Sequence, residues 1–122
     1  MKTYQDSSVQ FTLEAIAKHQ CLVTFKGKST SEGTEEFIRW IEEEFALVED
    51  GSLCIILDLI ELTAVPIRVQ LRMASWLLKV KNRVKKVAIV GGGRTAKALA
   101  KGAKMSNIDF FSDRTQATAW LE

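Results

Sequence analysis

Two short segments that are apolar on both faces constrain the fold of this chain more than any other feature. The first, LCIILDLIEL, spans residues 53–62, and the second, KKVAIV, spans residues 85–90. A strand with apolar residues on both faces is typical of the centre of a sheet, with other elements packed on each side. A helical pattern follows each segment, which predicts units of strand, crossover helix and parallel strand. We therefore expect an α/β protein.

The N-terminal part of the chain predicts an antiparallel hairpin. Residues 8–18, SVQFTLEAIAK, alternate between apolar and polar side chains, which is the pattern of a half-buried strand. Residues 21–28, CLVTFKGK, repeat the pattern, and only the dipeptide HQ separates the two segments. A helix capped by Ser29 or Thr30 follows, with acidic residues in its first turns and apolar residues at helical spacing.

The remaining segments complete the element order ββαβαβαβα. The second helix runs from Pro66 to about Lys81, a third follows the glycines after VAIV, and the last follows the short strand IDFF and is capped by Ser112 or Asp113. We predict a single domain over residues 1–122. Its sheet is mixed and mostly parallel, with about five strands, an N-terminal antiparallel hairpin and about four helices.

Composition excludes several classes of protein. The longest apolar run, Leu53–Leu57, is far too short to span a bilayer, and MKTYQDSSVQ has no apolar stretch of a signal peptide. We therefore expect a cytoplasmic protein without a transmembrane segment. Cys21 and Cys54 lie in apolar strand-like segments, which predicts buried, reduced thiols. One histidine, His19, and two separated cysteines predict neither a metal site nor a Ser-His-Asp catalytic set.

Charge is distributed unevenly along the chain. Residues 31–50 carry eight acidic side chains and one basic one, whereas residues 64–105 carry eleven basic side chains and no acidic one. The electrostatic field of such a charge distribution can steer a partner or an anionic ligand towards the protein. Alternatively, the charges contribute to solubility alone. No groove-reading motif accompanies the basic residues, so we predict no specific binding of nucleic acid.

Three segments carry a family resemblance. They read IILDLIELT at residues 55–63, RVKKVAIVGGGR at residues 83–94 and IDFFSDRTQATAWLE at residues 108–122. Together they resemble the SpoIIAA-like family within the STAS/SEC14 group, whose members share a strand ending in Asp, a strand reading VAVVG and a final helix of the form F-x-[ST]-x-x-x-A-x-x-W-L. Asp58 and Gly91 hold the matching positions here. The resemblance covers nearly the whole chain and implies a SpoIIAA-like, STAS-type fold.

One position departs from the anti-sigma factor antagonist branch of that group. In that branch an Asp-Ser pair follows the strand Asp by eight residues, and phosphorylation of the serine switches partner binding. Those positions here hold Pro66 and Ile67, and Thr63 lies nearby but out of place. The resemblance therefore implies the fold without the phosphoserine switch.

The glycine loop after the second central strand has two interpretations. Gly91, Gly93 and Ala96 fit the G-x-G-x-x-A spacing of a dinucleotide loop, and Arg94 with a helix N-terminus offers an anion site. However, the loop comes after ninety residues with a single strand left, so we predict no binding of NAD or NADP. The glycines otherwise form a turn that needs positive φ. The ligand-site or anion-site candidates at this end of the strands are Asp58, Thr63, Gly91, Gly92, Gly93, Arg94 and Thr95.

The second helix carries two apolar stripes. Ile67, Leu71, Ala74 and Leu78 form one of them, which we assign to the sheet. The other stripe and its basic flank are candidates for an interface between two copies of the chain, although packing within the monomer and a ligand surface are alternatives. These interface candidates are Val69, Met73, Trp76, Val80, Arg68 and Arg72.

The sequence thus predicts a non-enzymatic regulatory module that acts through protein–protein binding, as a homodimer or with a regulatory partner, and without a cofactor. The alternative is a protein that binds a small anionic or amphipathic ligand, lipid-like or phosphate-bearing, at the loops that follow the strands. Asp58 and Thr63 would belong to that second kind of site.

Overall fold

In the computed structural model, which describes residues 1–91 and 107–122, six strands and three helices can be assigned. The elements are β1 (Lys2–Gln5), β2 (Val9–Ala17), β3 (Gln20–Lys28), α1 (Ser31–Phe45), β4 (Leu53–Ala64), α2 (Ile67–Val80), β5 (Val84–Val90), β6 (Ile108–Phe111) and α3 (Arg114–Leu121). The helix predicted after Gly93 lies outside the described residues.

The strands form one mixed sheet in the order β1-β2-β3-β4-β5-β6. The pairs β1–β2 and β2–β3 are antiparallel, whereas β3 to β6 pair in parallel. The predicted α/β class, the N-terminal antiparallel hairpin and the parallel remainder are therefore confirmed. The strand β1 was not predicted, because its polar residues carry little of the apolar alternation that indicates a strand.

Within residues 1–91 and 107–122, helices pack on both faces of the sheet. On one face, α1 and α2 pack over a core that includes Phe11, Val23 and Ile55. On the other, the short helix α3 covers a smaller cluster at β4 and β5 through Ala117 and Leu121. Because successive residues of a strand point to opposite faces, the central part of β4 contributes to both clusters. This explains why that segment is apolar on both sides.

The face of α2 that packs on the sheet is opposite to the face that the sequence predicted. Val69, Trp76 and Val80 are buried, and the half-buried Met73 packs against the core, so the predicted interface stripe is the core-facing one. The large apolar residues of α2 that are exposed are Ile67, Leu71 and Leu78, which the sequence assigned to the sheet. Both stripes fit the 3.6-residue period, and the side with Trp, Met and the buried Leu77 removes the larger apolar area from water.

The cysteines lie on opposite faces of the sheet. Cys21 belongs to the core under α1 and α2, and Cys54 to the cluster under α3, and both are free and buried, as predicted. Burial raises the pKa of the Cys21 thiol to about 12, so this thiol has little nucleophilic character at neutral pH. No helix among the described residues is long and apolar enough to cross a bilayer.

Candidate functional site

An apolar pocket of about 570 Å³ lies between the sheet and the first turns of α1 and α2. Its volume falls within the range of about 300–1,000 Å³ that is usual for small-molecule sites. It sits at the carboxyl ends of the parallel strands, where ligands of open α/β sheets collect. The residues that line it are Phe25, Ser29, Thr34, Phe37, Leu57, Leu59, Ile60, Leu62, Thr63, Ala64, Val65, Val69, Gln70, Met73, Leu77, Ile89 and Gly91.

Irregular pairing of β4 shapes the wall of this pocket. The β3–β4 register shifts between Thr24 and Lys26 and again between Gly27 and Lys28, so β4 advances by an extra residue at each shift. Such bulges re-aim side chains away from strict alternation. The run from Leu62 to Val65 lines the pocket without a break, which a regular strand does not allow.

Four polar residues line the otherwise apolar pocket. The Thr34 hydroxyl donates a hydrogen bond to the Thr30 carbonyl at 2.7 Å, and Gln70 Nε2 donates one to the Val65 carbonyl at 2.8 Å. Thr63 is exposed at the end of β4. Ser29 is 8% exposed, and the hydrogen bonds within residues 1–91 and 107–122 include none to its hydroxyl. No charged side chain lines the described part of the pocket.

The start of α1, which forms one side of the pocket, is held by a carboxylate. Asp6 accepts hydrogen bonds from the Thr30 hydroxyl at 2.6 Å, from the Tyr4 hydroxyl and from two backbone N–H groups. Thr30 in turn caps α1 by accepting a hydrogen bond from the Gly33 N–H. These bonds, led by that of Thr30, hold the pKa of Asp6 well below its usual range. Asp6 thereby fixes the segment that contains Ser29.

The start of α2 on the other side of the pocket has no such cap. Its N-cap residue is Pro66, which makes no side-chain hydrogen bond, and its first turn contains no acidic residue. The first hydrogen bond of the helix runs from the Gln70 N–H to the Pro66 carbonyl, so the earlier N–H groups have no partner within the helix. A helix start of this kind carries partial positive charge.

Asp58 does not belong to this pocket. It lies on the face of the sheet that α3 covers and is 6% exposed. Its Oδ2 atom accepts a hydrogen bond from Arg114 Nε at 2.6 Å, and its Oδ1 atom accepts one from the Ile60 N–H at 3.1 Å. Arg114 also reaches the Thr24 hydroxyl at 3.2 Å. Asp58 therefore does not line the pocket that Thr63 and Gly91 line, because its carboxylate ties β4 to α3 on the other face.

Gly91 lines the pocket in a backbone conformation that favours glycine. Its φ is +80°, and a Cβ atom at this position would lie 3.1 Å from the Ile60 backbone nitrogen. Turn geometry and close packing thus account for this glycine. The other candidates of the glycine loop, Gly92, Gly93, Arg94 and Thr95, lie outside the described residues.

The basic candidates on α2 differ in their partners. Arg72 Nε donates hydrogen bonds to both carboxylate oxygens of Glu35 in α1, at 2.8 and 3.1 Å, so this contact is made within the chain. The hydrogen bond from Arg72 lowers the pKa of Glu35. Arg68 is exposed in the first turn of α2 and forms no ion pair within the described residues.

Comparison with known proteins agrees with the α/β fold described above. The family model described as SpoIIAA-like matches residues 21–122. The chain belongs to the SpoIIAA-like family. A search of functionally curated proteins found no match to the sequence.

Solved structures share the fold at low sequence identity. An uncharacterised protein with a SpoIIAA-like fold from Shewanella loihica PV-4 is 21% identical, with a TM-score of 0.68 and full coverage of both chains. The unphosphorylated anti-sigma factor antagonist SpoIIAA is 12% identical, with a TM-score of 0.64 over 91% of this chain and 96% of its own. An anti-sigma factor antagonist from Mycobacterium paratuberculosis is 13% identical, with a TM-score of 0.63 over 93% of each chain.

Proposed function

We propose that this chain is a non-enzymatic binding module that holds a small amphipathic molecule with a single apolar chain in the pocket between the sheet, α1 and α2. The observation that carries this proposal is the pocket itself, because its walls are apolar and its few polar groups are hydroxyls and an amide. Such a lining binds an apolar chain by burial and orients it through a small number of polar contacts. This is the second of the two functions that the sequence predicted.

A bulky side chain in the pocket tests this proposal. Ala64→Trp places an indole on the exposed end of β4, at the pocket wall, without touching a buried core residue. Each methylene that leaves water contributes about 0.8 kcal/mol, so every two methylenes that the indole excludes reduce affinity about tenfold. We expect calorimetry with decanoate to show binding to the unmodified protein and at least about a tenfold loss in Ala64→Trp.

Leu47→Trp is the matched control for that substitution. Leu47 is 77% exposed and follows the C-terminal end of α1, whereas the pocket lies at the N-terminal end of the same helix. This variant should bind decanoate as the unmodified protein does. Absence of decanoate binding to the unmodified protein, or equal binding by both tryptophan variants, would contradict the proposal.

A second candidate function is protein–protein binding through the outer face of α2. Ile67, Leu71 and Leu78 are exposed there by 66%, 62% and 48%, which leaves an apolar stripe next to Arg68. Such a stripe favours a partner surface, and the predicted homodimer would have to use it rather than the buried stripe. This regulatory role would operate without a phosphoserine switch, because Pro66 and Ile67 occupy those positions.

Sedimentation tests the homodimer. The unmodified protein should sediment as a dimer at high micromolar concentration, and Leu71→Glu as a folded monomer, because a carboxylate at the centre of the stripe is unfavourable in an apolar contact. Leu47→Glu, which adds the same charge at another exposed leucine, should remain dimeric. A monomeric unmodified protein would exclude this interface between two copies.

A further inference from the structure

The polar residues of the pocket are concentrated where β4 ends and α2 begins. The Ser29 N–H donates a hydrogen bond to the Ala64 carbonyl at 3.0 Å, which holds Ser29 beside the last residue of β4. Only Val65 and Pro66 separate that residue from the first turn of α2. Ser29 and the uncapped start of α2 therefore belong to one end of the same pocket.

We propose that this end of the pocket binds the carboxylate head of a single-chain amphipathic acid, an inference that rests on the proposed function. Ser29 lines the pocket, and the hydrogen bonds within the described residues include none to its hydroxyl, so this hydroxyl can donate to a ligand in the pocket. A carboxylate accepts hydrogen bonds from such a hydroxyl and from the free N–H groups of a helix start. Arg68 adds a positive charge in the same turn.

The charges around this end favour an anion over a cation. No acidic residue occurs in α2, and none lines the described part of the pocket. On the facing helix α1, Glu35 is held by both of its oxygens to Arg72, and Glu32 lies in the first turn. The apolar walls bind the chain of the ligand, while the Ser29 hydroxyl, the start of α2 and Arg68 bind its carboxylate head.

Three ligands with the same decyl chain but different head groups distinguish the contribution of the head group to affinity from that of the chain. Decanoate, 1-decanol and decyltrimethylammonium are titrated into the unmodified protein by calorimetry at low ionic strength and below their aggregation concentrations. We expect decanoate to bind about tenfold more tightly than decanol and decyltrimethylammonium to bind most weakly, because an anion at a helix start and a hydrogen bond to a charged group each favour the carboxylate.

Variants of the two donor elements sharpen the test. Ser29→Ala should reduce the preference for decanoate over decanol to about twofold while decanol still binds, which shows that the pocket is intact. Arg68→Gln should weaken decanoate about threefold. Lys79→Gln removes the same charge near the other end of α2 and should leave the preference unchanged.

The outcomes distinguish the two proposals. Equal binding of all three ligands by the unmodified protein would overturn the carboxylate site and leave the apolar pocket standing. If none of the three ligands binds, the proposed function is overturned. A preference for decanoate that Ser29→Ala and Lys79→Gln change equally would also overturn the site, because it would then depend on the overall charge or stability of the protein.

Discussion

Replacing Trp76 by alanine is expected to lower the free energy of unfolding by about 3–5 kcal/mol, the usual cost of removing a large aromatic side chain from a core. Trp76 is 2% exposed, and its ring lies 5.2 Å from that of Phe37, centroid to centroid, so α1, α2 and the sheet meet around it. Its indole N–H has no hydrogen-bond partner within the described residues. Trp76→Phe should therefore cost much less than Trp76→Ala. Urea denaturation of both variants measures the two losses.

Leu71 provides the comparison on the same helix. Because it is 62% exposed, Leu71→Ala should change the free energy of unfolding by no more than about 0.5–1 kcal/mol. A larger loss in Leu71→Ala than in Trp76→Ala would mean that α2 presents the originally predicted face to the sheet. The pair of variants therefore tests the orientation of the helix directly.

Removing the guanidinium that faces Asp58 is expected to lower the free energy of unfolding by about 2–3 kcal/mol. Arg114→Leu leaves a carboxylate that is 6% exposed and that, among the described residues, keeps a single hydrogen bond, from the Ile60 N–H. Breaking a fully buried pair costs more, about 3–5 kcal/mol, but the Arg114 side chain is 49% exposed and water can partly replace it. Equilibrium denaturation at neutral pH measures the loss.

The double variant Asp58→Leu with Arg114→Leu separates the charge from the packing. It should be more stable than Arg114→Leu alone, because no unpaired buried carboxylate remains. Decanoate affinity should be unchanged in both variants, since Asp58 lies on the opposite face of the sheet from the pocket. A loss of decanoate affinity in these variants would mean that Asp58 contributes to the ligand site although it lies on the other face of the sheet.

The architecture was predictable because its strongest signals are periodic and long. The two segments with apolar residues on both faces lie at the centre of the sheet, and the alternating segments form the antiparallel hairpin. The face of α2 was not predictable from periodicity, because two apolar stripes fit the same helix. The role of Arg72, on the flank of α2, was not predictable from α2 alone, because its partner Glu35 lies in α1.

The pocket was predictable only in part. Thr63 and Gly91 were expected at the strand ends and do line it, but Ser29 was considered only as a helix cap and Gln70 was not considered. The two bulges in β4 re-aim side chains at this wall of the pocket, and such irregularities leave no mark in a one-dimensional pattern. Asp58 precedes both bulges, and its side chain lies on the face of the sheet that α3 covers. Asp6 could have been noticed, since Asp-Ser-Ser between two strand-like segments is typical of a turn.

The strict succession of strands across the sheet has a consequence for how the chain acquires its structure. Every described strand lies beside the described strand that precedes it in sequence, so none of them has to insert between two that are already paired. The β2–β3 hairpin is local, whereas each parallel pair joins residues about 20–35 positions apart, and such pairings have a larger entropy cost of loop closure and are associated with slower folding. We therefore expect the sheet to grow from the N-terminal hairpin outwards, each new strand using the last one as its template while the chain is still being synthesised.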